Sequence, residues 1–181
     1  DITFKVVIPG KNMNEILRIL DTTDEPITVS LSGNLASFLF NNCRIVSSVL
    51  DGEFMNYKNY IPSQFETVIR IKTKELIESL ERASLITSDD KRYPVRFNIG
   101  DDNLVIHSTA EVGISKEEIK IENDGGSMQI GFNPRYLIDA LKVISDETIK
   151  LSFNSSIGPC IITSEDHDRY LFLILPVRIR T

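Results

Sequence analysis

The chain has 181 residues, is 41% apolar and 25% charged, and carries a formal charge of −6, which is ordinary for a globular protein able to bury a real core. Its longest apolar run, Leu171 to Val177, falls far short of the ~20 residues that span a bilayer, and no basic-then-apolar leader opens it. The acidic balance argues against a protein held to nucleic acid by overall charge, and the expected setting is cytoplasmic, away from membranes.

Asp1 leads straight into a strand-like run without an initiating methionine, so a cut or processed chain is expected. Three segments then repeat one plan, a strand, a short helix and about three more strands. They run from Ile2 to about Tyr57, from Thr67 to Glu122, and from Met128 to about Arg178. In the first, Met13, Ile16, Leu17 and Leu20 follow i, i+3, i+4, i+7 spacing and predict one buried helix face. Ile27, Val29 and Leu31 alternate with Thr28 and Ser30, the period of a strand wet on one side. Ser32-Gly33-Asn34 and Asn41-Asn42 carry turn chemistry.

In the second segment Thr73 reads as an N-cap with Glu75 in the first turn. Leu76, Ile77, Leu80 and Ser84, with Ala83 alongside, form the helix stripe, and Val95, Phe97 and Ile99 alternate beyond it. Gly100 to Asn103 and Asn123 to Gly126 read as turns. In the third, Asn133 before Pro134 is a firm helix start, a capping side chain followed by a residue that needs no N–H partner. Leu137, Ala140, Leu141 and Ile144 make its stripe, and Ile149, Leu151 and Phe153 its next strand. The expected fold class is α+β, built from β-α-β-β-β units. Two units make a two-layer domain with helices over sheets, so a count of three leaves one without its partner.

Catalytic chemistry finds no foothold. His107 alternates with Ile106 on a strand and His167 lies in an acidic loop, neither near a nucleophile at useful spacing. Cys43 and Cys160 sit in apolar strand-like stretches without metal-type spacing, as small core residues do. Asp89-Asp90 and Asp101-Asp102 fall where turns are expected, and Gly125-Gly126 lacks the helix and lysine of a phosphate-binding loop. No enzyme, metal or cofactor is predicted.

Three strings, in order and at fitting intervals, resemble the bacterial DNA sliding clamps, the beta subunits of DNA polymerase III. They are DGEFMNYKNYIP (Asp51 to Pro62), GFNPRYLIDAL (Gly131 to Leu141) and LILPVRI (Leu173 to Ile179). The resemblance implies the DNA clamp, or processivity factor, fold. Residues 1–60 would be the second half of the middle clamp domain and residues 61–181 the complete C-terminal domain. It also implies a non-catalytic role in DNA replication, docking short linear motifs of polymerases, clamp loader and repair proteins. In the full-length homodimer the ring encircles duplex DNA without reading its sequence.

Carried over by motif, the peptide pocket comprises Asn133, Tyr136, Ile157, Pro159, Ile174, Leu175, Pro176, Val177 and Arg178, with Met55 and Asn59 from the interdomain link. Met55 stands where the family commonly has proline and Asn59 where a basic residue is common, and part of the family pocket belongs to the half-domain the chain lacks, so weaker peptide binding than by an intact clamp is expected. The DNA-facing residues would be Lys11, Arg18, Lys74, Arg135 and Lys142. The ring interface would include Leu85 and Ile86, just beyond the second helix, with Lys91 or Arg92 nearby. The charges on and beside the three helices sum to +2, leaving −8 for the rest, so inner helices less acidic than outer sheets are expected. The competing reading is a small-molecule-binding or hydrolytic α+β domain with its pocket between repeats.

Overall fold

A computed structural model of the chain describes residues 5–20, 26–52, 54–87, 94–111, 113–166 and 169–179. It divides into two compact units, Asp1–Tyr57 and Lys58–Thr181.

The first unit holds α1 (Gly10–Ile19), β1 (Thr28–Ser32), β2 (Leu35–Phe40) and β3 (Cys43–Ser48). The strands form an antiparallel sheet in the order β1-β2-β3. Asn41 and Asn42 join β2 to β3 with φ of 46° and 57°, the left-handed pair that a tight hairpin requires and that asparagine tolerates. Ile16 of α1 packs into Ala36, Phe38 and Phe40, and Asn12 Nδ2 donates to Ser47 Oγ at 2.8 Å, tying helix to sheet.

The predicted four-residue stripe on α1 is only partly buried. Ile16 is enclosed, but Leu17 is 69% exposed and Met13 is also exposed. Ile27 and Val29 are likewise open. The cause is geometric. Among the described residues β1 is an edge strand with no strand beyond it.

The second unit runs β4 (Thr67–Lys72), α2 (Thr73–Thr87), β5 (Val95–Ile99), β6 (Asn103–Ala110), β7 (Gly113–Lys120), β8 (Glu122–Gly125), β9 (Met128–Phe132), α3 (Pro134–Leu141), β10 (Thr148–Phe153), β11 (Cys160–Thr163) and β12 (Leu171–Ile174). Its two sheets have the orders β12-β11-β10-β4-β8 and β7-β6-β5-β9. Each repeat therefore gives its opening strand to the other's sheet: β4 pairs with β10, and β9 with β5. The segment before the helix of each repeat also meets the segment after its last long strand. Val7 bridges Leu50, β4 pairs with β8, and Gly131 bridges Val177. These three equivalent contacts make the sequence repeat a repeat of backbone pairing.

The predicted strand stripes are core here. Val95, Phe97, Ile149, Leu151 and Phe153 are fully enclosed with Leu76, Leu80, Phe132, Leu137 and Leu141. α2 packs on β6, β7 and α3, while α3 also meets β12. Details differ from the sequence reading. Glu122–Gly125, part of which reads as a turn, is the short strand β8. Its Gly125 lies against the Glu66–Thr67 backbone, where a Cβ would fall 2.2 Å from the Glu66 carbonyl oxygen. Thr73 opens α2 without capping it; its hydroxyl donates to the Asp146 carbonyl at 2.6 Å. Ile144 lies past the end of α3, partly buried against the core.

Asp146 holds a second tie. Its carboxylate accepts from the Tyr170 hydroxyl at 2.6 Å and pairs with Arg169 at 2.8 Å, linking the α3–β10 connection to the start of β12. Burial, reinforced by the bond to Asp146, pushes the Tyr170 phenol up to about 12. Burial likewise raises the Cys160 thiol, consistent with a core residue. Asp101 and Asp102 occupy the β5–β6 turn. Asp89, Asp90, Lys91, Arg92 and His167 lie outside the described residues. Among the described residues, no helix is long and apolar enough to cross a membrane.

Candidate functional site

Nine of the eleven predicted pocket residues lie on the β10–β11 loop, the start of α3, and the end of β12 with the tail beyond it. Cys160 pairs with Ile174 at the last rung of the β11–β12 ladder, so Pro159 and Leu175 leave that rung side by side. The chain then turns to β9, where the Val177 N–H donates to the Gly131 carbonyl at 2.9 Å. Gly131 lies two residues before Asn133, whose side chain accepts from the Arg135 N–H at 3.0 Å and caps α3. Ile174 to Val177 thus runs between the β10–β11 loop and the first turn of α3.

The exposure of these side chains separates floor from surface. Ile174 is 9% exposed and belongs to the hydrophobic core, so it is floor rather than wall. Tyr136 is 55% exposed, Leu175 65% and Ile157 83%. Pro159, Pro176 and Val177 are half-buried and Arg178 is exposed. Large apolar groups held open beside a helix cap and a guanidinium form a surface that favours an extended apolar ligand with a few fixed polar contacts. Asn59 is exposed on the 3-10 turn Tyr57–Tyr60, and no hydrogen bond or ion pair joins it to these groups among the described residues. Met55 belongs to the first unit and is exposed there.

Gly131 is the residue that sequence reasoning passed over. A Cβ there would lie 2.8 Å from Ile179 Cγ1 and 3.0 Å from the Val177 carbonyl oxygen. The tail lies flat on β9 only because this residue has no side chain. A glycine inside an otherwise apolar strand is the signal that would have found it.

The predicted DNA-facing cations divide. Arg18 pairs with Glu15 at 3.1 Å, Lys74 with Glu78 at 3.9 Å and Lys142 with Glu81 at 2.9 Å. Lys11 and Arg135 have no ion-pair partner among the described residues. Leu85 is strongly exposed and Ile86 partly so, and both lie within the last turn of α2 rather than beyond it. Leu85 lines a shallow groove with Arg82, Ile138 and Lys142.

The expected acidity of the outer sheet faces is overturned. Outward on the four-stranded sheet lie Arg96, Lys116, Lys120 and Glu118, a net of +2. Outward on the five-stranded sheet lie Arg70, Lys72, Lys150, Glu122 and Asp124, a net of +1. The acid excess sits instead in connections, among them Asp101, Asp102, Glu111, Asp146, Glu147, Glu165 and Asp166. Adjacent carboxylates in a turn stay hydrated, whereas directly opposed carboxylates on a sheet repel.

Comparison with known proteins places this architecture. The family described as DNA polymerase III beta subunit, C-terminal domain, matches residues 58–178, and its central-domain counterpart matches residues 1–56. The beta sliding clamp of Halalkalibacterium halodurans is 34% identical over 176 residues, covering 96% of this chain and 46% of that protein. That of Staphylococcus aureus is 31% identical over 175 residues, with the same coverage. The crystal structure of the Bacillus subtilis DNA polymerase sliding clamp superposes with a TM-score of 0.90 at 31% identity, covering 98% of this chain and 47% of that one. The beta chain from Streptococcus pneumoniae gives 0.90 at 32% identity, covering 97% and 48%. The chain spans about half the length of the relatives it matches, and its α+β repeats have the sliding-clamp fold. With both family domains matched in order along it, the chain belongs to the DNA polymerase III beta subunit family.

Proposed function

We propose that this chain acts as the peptide-docking part of a replicative processivity clamp, and that it is not an enzyme. The observation that carries the reading is the open apolar surface of Tyr136, Ile157 and Leu175, set beside Asn133 and Arg178 where the tail after β12 meets α3. A short extended segment of a polymerase, clamp loader or repair protein would bury its apolar residues there. Asn133, the Tyr136 hydroxyl and Arg178 would orient its backbone. Pro159, Pro176 and Val177 complete the wall over the Ile174 floor. Asn59, in the same unit, is proposed as a rim residue.

Two further roles follow from the family. Lys11 and Arg135, with the ion-paired Arg18, Lys74 and Lys142, would face duplex DNA inside a closed homodimeric ring. Cations already paired to carboxylates hold phosphates loosely, which suits sliding. Leu85 and Ile86 would close the ring against another subunit. The division into residues 1–60 and 61–181 corresponds on this reading to half of a middle domain and a whole last domain.

The test is titration of a labelled peptide of the glutamine-to-leucine-phenylalanine type against the wild type and the Tyr136→Ala and Pro176→Ala variants. Micromolar binding by the wild type, weakened at least about tenfold in each folded variant, is the expected result. Equal binding by all three would refute the assignment of the site.

A further inference from the structure

On the outer face of the four-stranded sheet three cationic or titratable side chains stand in one row. Arg96 of β5 pairs with His107 of β6, and His107 with Lys116 of β7. Directly paired residues point to the same face of a sheet, so the three side chains are neighbours across strands ~4.8 Å apart. Arg96 and Lys116 are fixed cations two strand spacings, ~10 Å, apart with His107 between them. None of the three has a hydrogen-bond or ion-pair partner among the described residues. Glu118, the carboxylate one rung away, accepts from Asn103 Nδ2 at 2.8 Å. Cations are concentrated on this face in a chain whose net charge is −6.

The row continues toward the pocket. Arg96 pairs on its other side with Gly131 of β9, and Gly131 bridges Val177. Val177, Gly131, Arg96, His107 and Lys116 therefore lie along one line across the sheet. Arg96 is two strand spacings from Val177, ~10 Å, and Lys116 four, ~19 Å. Five or six extended residues, at ~3.3 Å each, cover that distance.

We propose that Arg96, His107 and Lys116 receive an acidic flank of the same peptide whose apolar anchor sits against Tyr136, Leu175 and Val177. The proposal rests on the docking reading above and adds a chemical preference to it: partners carrying Asp or Glu within about six residues of their anchor bind more tightly than partners with neutral flanks. The preference is electrostatic and exposed to solvent, so it is modest and sensitive to salt.

The experiment uses two labelled peptides with one common anchor, flanked on both sides by six Asp and Glu residues or by six Ser and Gly residues. Each is titrated against the wild-type chain and the Arg96→Gln/Lys116→Gln double variant, at about 50 mM and about 500 mM salt. The variant keeps its fold, because both side chains point outward and hold no partner, and its circular dichroism melt checks this. At low salt the acidic-flanked peptide binds the wild type roughly three- to tenfold more tightly than the neutral one. That advantage disappears in the double variant and at high salt, while the neutral peptide binds both proteins equally. Equal affinity of the two peptides for the wild type overturns the cationic row and leaves the pocket standing. An advantage that persists in the double variant overturns it too. Binding of neither peptide overturns the docking reading and this proposal with it.

Discussion

Replacing Gly131 with valine places three carbon atoms where the structure leaves room for none. The Cβ alone would sit 2.8 Å from Ile179 Cγ1 and 3.0 Å from the Val177 carbonyl oxygen, against the ~3.5–4.0 Å at which carbon contacts settle. With alanine, Ile179 can swing aside and most of the tail stays. Valine adds two methyl groups that Ile179 alone cannot accommodate, so the segment from Pro176 onward must lift. That breaks the 2.9 Å bond from the Val177 N–H to the Gly131 carbonyl, worth about 0.5–1.5 kcal/mol. Overpacking of this kind costs about 1–3 kcal/mol, and detachment of the tail caps the loss near the lower end. The core of Phe97, Phe132, Leu137 and Leu151 keeps its packing, so the urea midpoint should fall only slightly. Peptide affinity should drop about 30-fold, the ~2 kcal/mol expected when a central wall is displaced. Fluorescence anisotropy with the labelled peptide, beside urea unfolding followed by circular dichroism, reads both quantities. A folded Gly131→Val chain that binds within a factor of two of wild type would refute the claim that this glycine seats the tail.

The α1 stripe gives a paired test: Ile16→Ala should cost about 2–4 kcal/mol in the first unit and Leu17→Ala less than about 0.5 kcal/mol, read from hydrogen exchange of the β2 amides; equal effects would contradict the observed burial. Asn133→Ala removes the cap of α3 and should destabilise the second unit by about 1 kcal/mol, with Asn133→Asp close to wild type in thermal melts. Tyr170 has a folded pKa raised to about 12 from 10.0, so its neutral form is favoured by folding. Its contribution is complete below pH 10 and fades as pH rises toward 12. Alkaline unfolding should therefore show a step between those values that Tyr170→Phe abolishes, and an unchanged profile in the variant would remove Tyr170 as its source.

What was legible in the sequence was local periodicity where packing is two-sided. Val95, Phe97 and Ile99, or Leu137, Ala140 and Leu141, are buried as their spacing predicts because a sheet and a helix close over them. Met13 and Leu17 carry the same period and are exposed, since periodicity states which side chains share a face and not whether anything covers it. The cap at Asn133 could be read because Pro134 removes the alternatives. Thr73 offered the same chemistry, yet its hydroxyl is drawn across to the Asp146 carbonyl, a partner 73 residues away in sequence. The tail residues Leu175 to Arg178 came from resemblance alone, as no spacing rule marks a segment whose partners are a loop and a helix start. The cationic row was invisible for a related reason: Arg96, His107 and Lys116 become neighbours only once the strand register is set.

The exchange of opening strands has a consequence for how the second unit comes apart. Since β4 lies in the sheet of β10 to β12 and β9 in the sheet of β5 to β7, neither repeat owns a finished sheet. A nick at the exposed Gly126–Ser127 connection would leave two pieces that clasp one another through strands on both sides, as interlaced fingers do. Released singly, one piece would lose β4 and β8 from the sheet of β10 to β12 and the other would lose β9 from beside β5, and each would bare apolar surface. Cleaved chains should therefore stay associated until denaturant separates them, and separately made halves should regain their structure only when mixed.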